Sequence, residues 1–334
     1  MEFEKIFITG STGVVGKPLL KKLVNKGHKV YALNRSNNNS RYFEELGVTS
    51  IHGDLFDDSL HEKLSKLNIN AIFHVAGVNK MCVKNPADMF KTNIEGTKYM
   101  LSLGNSLKIN KFVYTSSAVT LGERHGLIGS EASEHRGWFL SKYEESKYLA
   151  EKEAFEYKKD FEFVSINPSS VQGPGRVSGT AKLLISTLNK KYPPLIKNNI
   201  SIIDIDDCAE GHYLGLTKGR DNERYVLNSF HLQSADLISE LKSITDWKGS
   251  PIYVPKSIVK LIGPVGDLIK IFSNKPPFIC SESVRVLTNG HIYDGSKASK
   301  ELGLEYIKIG DFITKTVNWL IEEGQISLNR REDR

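Results

Sequence analysis

Short runs rich in valine, isoleucine and phenylalanine alternate with amphipathic stretches through the first half of the chain. The runs predict strands over Lys5–Ile8, Lys29–Leu33, Val48–His52, Ala71–Val75, Phe112–Thr115 and Phe161–Ile166. Stretches with helical period lie between them, near 14–26, 57–67, 86–106 and 140–158. Continuous apolar strands separated by helices are buried on both faces. The pattern therefore predicts an α/β fold, a doubly wound parallel sheet joined by right-handed crossovers. After Asn167-Pro168 the rhythm loosens and prolines gather at 174, 193, 194, 251, 255, 264, 276 and 277. That shift predicts a smaller α/β lobe interleaved with the first. The expected division is 1–167 plus about 200–230, then about 168–199 plus 231–325, and a frayed tail over 326–334. Lys256 to Phe272 is apolar, carries few charges and is interrupted by Gly263-Pro264. It reads as a helix pair walling a pocket, with contact to a membrane surface as the sharper reading; it is too short and broken to span a bilayer.

Composition narrows the class. The 334 residues are 40% hydrophobic and 25% charged, which fits a globular chain with a sizeable core rather than a disordered one. The net charge of +6 is spread along helical faces, as in Lys17, Lys21, Lys22, Lys26 and Lys29, with no concentrated stripe. Nucleic acid is therefore not an expected partner. Met1 to Gly10 carries acids and then a strand, so no leader is expected, and no run is long enough to span a bilayer. Cys82, Cys208 and Cys280 are odd in number and scattered. They suggest neither disulfides nor a metal site, and hence a reducing, cytoplasmic setting.

Candidate chemistry begins at the end of the first strand, in Thr9-Gly10-Ser11-Thr12-Gly13-Val14-Val15-Gly16. One glycine makes a tight turn, a second lets backbone approach a pyrophosphate, and a third lets the following helix pack close. The N–H groups and positive dipole end of that helix then face the phosphates. The first-strand, first-turn position makes this a dinucleotide site. An acidic residue ending the second strand would hold the ribose hydroxyls of NAD; Ala32-Leu33-Asn34-Arg35-Ser36 stands there instead. Arg35, with Asn34 or Ser36, suits a 2′-phosphate, so NADP is expected over NAD. The alternative for Arg35 is stacking over the adenine. Asp54-Leu55 falls where the adenine edge should lie, and His74-Val75-Ala76-Gly77 ends the fourth strand against the coenzyme.

Hydride exchange with a carbonyl needs a proton donor beside the oxygen. A tyrosine and a lysine four residues apart on a helix supply one, the ammonium favouring phenolate. Three pairs have that spacing: Tyr143/Lys147, Tyr148/Lys152 and Tyr293/Lys297. Tyr148/Lys152 shares a helix with the first pair but points about 140° away, as a surface pair would. Tyr293/Lys297 adjoins the Asp294-Gly295 turn. Tyr143/Lys147 follows a loop after the fifth strand, which ends in Thr115-Ser116-Ser117. Ser117 is placed to polarise the substrate oxygen, and Ser116 to bond backbone.

Together these residues resemble the extended short-chain dehydrogenase/reductases. The resemblance rests on Thr9-Gly-x-x-Gly-x-x-Gly16, Asp54-Leu55, Asn93-x-x-Gly96-Thr97, Thr115-Ser-Ser-Ala118 and Tyr143-x-x-Ser-Lys147-x-x-Ala-Glu151. It continues through Asn167-Pro168-x-x-Val171-x-Gly173-Pro174, Asp206-Asp207-Cys-Ala209-Glu-Gly-His212 and Ser296-Lys297-Ala298-x-x-Glu301-Leu302-Gly303, nearly the whole chain. It implies a Rossmann fold with a substrate lobe and a catalytic set of Ser117, Tyr143, Lys147 and Asn93. Lys147 would bind the ribose, Asn167, Pro168 and Ser170 would lie beside the nicotinamide, and a homodimer would pack through the 86–106 and 140–158 helices. Nucleotide-sugar epimerases carry an arginine where this chain has Ile200, so the pattern is closer to dihydroflavonol 4-reductase-like and 3β-hydroxysteroid dehydrogenase-like members and to a hopanoid-associated set labelled sugar epimerases. The expected function is an NADP(H)-dependent oxidoreductase interconverting a ketone and a secondary alcohol on a fairly apolar small molecule. The alternatives are a nucleotide-sugar epimerase or dehydratase with tightly bound coenzyme, and a non-catalytic protein that senses NADP.

Overall fold

Strands that are apolar on both faces need cover on both, and the chain supplies it by returning a helix across the sheet after each strand. The computed structural model describes residues 3–36, 39–272, 277 and 279–328. In chain order the first elements are β1 (Lys5–Thr9), α1 (Gly16–Asn25), β2 (Lys29–Asn34), α2 (Ser40–Glu45), β3 (Thr49–His52), α3 (Leu60–Ser65) and β4 (Ala71–His74). Next come α4 (Ala87–Phe90), α5 (Gly96–Leu107), β5 (Lys111–Thr115), α6 (Lys142–Glu156), β6 (Glu162–Pro168), β7 (Ser170–Gln172), α7 (Ala181–Leu188) and β8 (Pro194–Leu195). The remainder is β9 (Asn199–Asp204), α8 (Ile205–Lys218), β10 (Glu223–Leu227), β11 (Phe230–Gln233), α9 (Ser234–Ile244), β12 (Ile252–Tyr253), α10 (Lys256–Phe272), α11 (Ser281–Asn289) and α12 (Ile309–Glu322).

Seven strands form one all-parallel sheet in the order β10-β6-β5-β4-β1-β2-β3. The order reverses direction at β1, which places a crevice beyond the carboxyl ends of β1 and β4. One face buries Ile6, Ile8, Leu19, Leu20 and Leu216 under α1 and α8; the other buries Phe7, Ile72, Met100, Leu101 and Ala150 under α5 and α6. A second cluster, with Leu188, Ile238, Leu241, Trp247, Phe312 and Val317, sits beside a three-stranded sheet ordered β11-β9-β7. The α/β class and doubly wound sheet expected from the pattern are observed. No described helix is long and apolar enough to cross a membrane.

Two expectations need correction. The 86–106 helix is interrupted by a π turn at Lys91–Glu95, which joins α4 to α5 and carries the buried Asn93. Such turns recur at functional sites because they re-aim one side chain. Gly263-Pro264 does not split its segment, since α10 runs unbroken with Pro264 inside it. Proline forfeits one helix hydrogen bond, and Pro264 lies on the exposed side, where water can satisfy the freed carbonyl.

The cysteine expectation is overturned. Cys82 and Cys280, 198 positions apart in the sequence, form a disulfide with Cα atoms 5.8 Å apart, and Cys208 alone is a buried free thiol. Spacing along the chain does not reveal such a pairing, because the partners meet only through the fold. The argument from scattered cysteines to a reducing compartment falls with it. Protein unfolded without reductant is expected to label at one thiol and, after reduction, at three. Three labels before reduction would show that the bridge does not form.

Candidate active site

The glycine turn is fixed by close backbone packing. Gly10 has φ +70°, and a Cβ there would meet the Ala76 nitrogen at 2.6 Å. A Cβ on Gly16 would meet the Gly10 carbonyl at 2.0 Å, so both positions exclude any side chain. Gly13 is exposed and faces open space apart from that same carbonyl, as backbone that must admit a ligand should. Ser11 is buried, Thr12 exposed, and Val14 and Val15 half-buried. Helix α1 has no side-chain cap and no acid in its first turn, which leaves its N–H groups and dipole end facing the crevice.

The turn is bolted to the fourth strand by a neutral histidine. Thr9 Oγ1 and His74 Nδ1 are 2.8 Å apart, and His74 Nε2 and Thr97 Oγ1 3.2 Å. Burial holds the His74 pKa down to about 3. Thr9 Oγ1 also accepts from the Ala76 N–H at 3.2 Å, which sets the Val75-Ala76-Gly77 loop over the crevice. Asn93 spends its amide there: Oδ1 accepts from Val78 N–H at 2.8 Å, and Nδ2 donates to the Val78 carbonyl and to Ser146 Oγ at 3.0 and 2.9 Å. These bonds make Asn93 a strut between that loop and α6.

At the end of β2, Asn34 is buried and donates to Ser50 Oγ at 3.2 Å, while Arg35 and Ser36 are exposed. No carboxylate stands in this stretch. Leu55 is buried against Gly96, and Asp54 is exposed beside it.

Tyr143 is placed by the start of α6. Ser141 caps that helix, accepting from Glu144 N–H at 3.0 Å, and Glu144 in turn accepts from Leu140 N–H at 2.9 Å. The Ser117 side chain lies close enough to the phenol to draw its pKa down against the effect of burial. Ser117 lies two residues past β5 in extended backbone, its carbonyl held by Thr120 Oγ1 at 2.8 Å and Asn167 Nδ2 at 3.3 Å. Lys147 lies one turn on, fully buried. Its Nζ donates to the Tyr114 phenol at 2.7 Å and to the Thr115 carbonyl at 2.8 Å. Burial lowers the Lys147 pKa to about 7, with Glu151 only partly opposing it.

This geometry corrects the expectation that Lys147 acidifies Tyr143. The ammonium is turned to Tyr114 and Thr115, and burial raises the Tyr143 pKa; the groups that pull it back are Ser117 and Arg176. Asn167 is also more inward than expected. Its amide is wholly buried between Glu151, Thr120 and Ser117, so its side chain braces the strand end. Pro168 is buried, Ser170 half-buried and hydrogen-bonded to Gln172 and Thr180. Ser116 Oγ, expected to bond backbone, has no partner.

Several residues beside the tyrosine escaped the sequence reading. Arg176, from the loop after β7, hydrogen-bonds the Val171 and Ser178 carbonyls and Thr180, and its charge acts on the phenol. It has no carboxylate partner among the described residues. Tyr293, set aside on sequence for its place beside the Asp294-Gly295 turn, is buried within electrostatic range of Tyr143 and bonds His291, whose Nδ1 lies 2.6 Å from Glu123. Its supposed mate Lys297 instead pairs with Glu223 at 2.5 Å. Tyr148 packs on His135 and Phe139, and Lys152 is exposed, so that pair lies off the site. A depression of about 600 Å³ lined by Glu131, Phe155, Arg224 and Lys297 lies at the β10 edge and holds neither Ser117, Tyr143 nor Lys147.

A nicotinamide dinucleotide fits the residues around the crevice. Ser11, Ser116 and Ser169 each bury a hydroxyl without a partner near the carboxyl ends of β1, β5 and β6, and the α1 N-terminus is free. The comparisons agree. The family model described as NAD dependent epimerase/dehydratase family matches residues 6–227. A dihydroflavonol 4-reductase of Solanum lycopersicum is 27% identical over 75% of this chain and 70% of its own length. A 2-alkyl-3-oxoalkanoate reductase of Shewanella oneidensis is 26% identical over 89% of this chain and 81% of its own. Among solved structures, gox2253 has a TM-score of 0.82 at 26% identity, covering 97% of this chain and 100% of that one. The yeast methylglyoxal/isovaleraldehyde reductase Gre2, complexed with NADPH, shares the fold at TM-score 0.75 and 20% identity, over 96% and 100%. The chain belongs to the NAD dependent epimerase/dehydratase family and is an oxidoreductase with a nicotinamide coenzyme.

Proposed function

We propose that this protein is an NADP(H)-dependent reductase or dehydrogenase interconverting a ketone and a secondary alcohol on a fairly apolar small molecule. The observation that carries the reading is the convergence of Tyr143, Ser117 and the buried Lys147 beside the carboxyl end of β5, on the same edge of the sheet as the open glycine turn. When bound, the coenzyme supplies or accepts the hydride. Tyr143 gives its proton to the nascent alkoxide, and Ser117 holds that oxygen while charge develops. Lys147 orients the ribose from beneath the phenol. Arg35, flanked by Asn34 and Ser36 and opposed by no acid, receives the 2′-phosphate. The names of the tomato and Shewanella relatives support reduction of a ketone, and the NADPH bound to Gre2 is in keeping with the phosphorylated coenzyme.

Tyr143→Phe is expected to lower kcat at least ~100-fold with coenzyme affinity kept, and Ser117→Ala by a similar factor. NADPH should be consumed in step with product. Isomerised product with no net coenzyme change would overturn the redox reading. Arg35→Ala should weaken NADPH binding by about 10- to 100-fold while leaving NADH binding nearly unchanged, checked by fluorescence titration. Equal losses for both coenzymes would place Arg35 over the adenine instead.

Lys147 also makes a stability prediction. Its folded pKa, about 7, lies below the ordinary lysine value of 10.5, so between those limits the unfolded chain binds more protons. Stability should therefore rise with pH across that window, by at most about 1.4 kcal/mol per pH unit from this residue. Lys147→Met should flatten the rise in urea titrations of the coenzyme-free protein. An unchanged slope in the variant would rule out the buried ammonium as its cause.

A further inference from the structure

Helix α10 is packed inside out. Its buried stripe is Val259, Gly263 and Gly266, while Ile258, Leu261, Ile262, Val265, Leu268, Ile269, Ile271 and Phe272 are 43–83% exposed. The glycines are inside because α11 and its approach come in at backbone distance: a Cβ on Gly266 would meet the Ile279 carbonyl at 1.7 Å, and one on Gly263 the Ser281 Cα at 3.0 Å. The large apolar side chains are thus left facing outward along 17 residues. Soluble proteins seldom leave so large a contiguous apolar face uncovered.

Charge identifies what covers it. Asp267, the helix's one acid, is turned inward to accept from Ser281 N–H at 3.3 Å. Exposed Lys260 lies on the same helix, and Lys84, on the loop after β4, reaches the far end to donate to the Ile271 carbonyl at 3.3 Å. Lys80 is exposed on that loop, which the Cys82–Cys280 bridge ties to the start of α11. An apolar face edged by lysines and, among the described residues of the helix, free of outward acids matches the boundary between acyl chains and anionic headgroups.

We propose that α10 is an interfacial helix that seats this protein on an anionic lipid bilayer. The site lies one helix away. Glu282 of α11 accepts from Lys142 N–H at 2.6 Å and from Cys82 N–H at 2.7 Å, which clamps α11 beside the N-terminus of the helix carrying Tyr143. A seat there lets an apolar compound pass from the lipid to the crevice by a short path. The binding itself does not depend on the redox reading, and its test needs no substrate.

The full-length protein should co-float with vesicles of phosphatidylcholine containing about a third phosphatidylglycerol, and do so less in high salt. Leu261→Glu with Leu268→Glu should weaken that association at least ~10-fold, with the melting temperature and NADPH affinity retained because both positions face outward. Lys80→Glu with Lys84→Glu should reduce binding to the anionic vesicles and leave the weaker binding to pure phosphatidylcholine. No co-flotation with either vesicle overturns the proposal. So does a concentration-dependent dimer that Leu261→Glu dissolves and vesicles do not displace, for then a second copy covers the face.

Discussion

Glu151 is a carboxylate sealed beneath the strand ends, and the groups proposed to react stand on what it holds. One oxygen accepts from Asn167 Nδ2 at 2.7 Å and Ser165 Oγ at 2.8 Å, so α6 is fastened to β6 from below. Asn167 passes the constraint on to the Ser117 carbonyl and to Thr120, which fixes the turn leaving β5. A carboxylate this deeply buried is costly unless its lone pairs are met. Here they are met by groups that must themselves stay in place, which holds the backbone at Ser117 beside the helix that carries Tyr143.

What the sequence carried clearly was local. Alternation of apolar runs and helices gave the parallel sheet, because burial on both faces leaves its mark within a few residues. The spacing of Gly10, Gly13 and Gly16 gave the crevice, because a tight turn and two close approaches all occur within one stretch. What it concealed was assembled from afar. Arg176 meets Tyr143 across the fold, His291 meets Glu123 over 168 residues, and Cys82 meets Cys280 over 198. Gly263-Pro264 misled for a different reason. Glycine and proline signal a break in a helix, whereas these glycines serve helix packing and the proline sits where its lost bond is exposed to water.

The same contrast explains why spacing alone did not choose among three tyrosine–lysine pairs. On α6, Tyr143 and Lys147 share a face, yet the lysine points below the phenol to Tyr114 and Thr115. Tyr293 and Lys297 straddle a turn, and their side chains part, one toward the site and the other toward Glu223. Four residues along a chain place two groups together only when the helix is already there and its packing aims both.

In the proposed reaction the acidity of Tyr143 then has to come from elsewhere than a direct lysine contact. Burial raises its pKa, and the opposing influences are the Ser117 hydroxyl and the Arg176 guanidinium. Arg176 belongs to the loop that leads from β7 into α7, held by the Val171 and Ser178 carbonyls rather than by an acid. Arg176 is held in place by its own loop and Thr180, so its charge reaches the phenol from a segment that the sheet does not fix. The field at Tyr143 is thus set jointly by the end of β5, through Ser117, and by the stretch between β7 and α7, through one arginine.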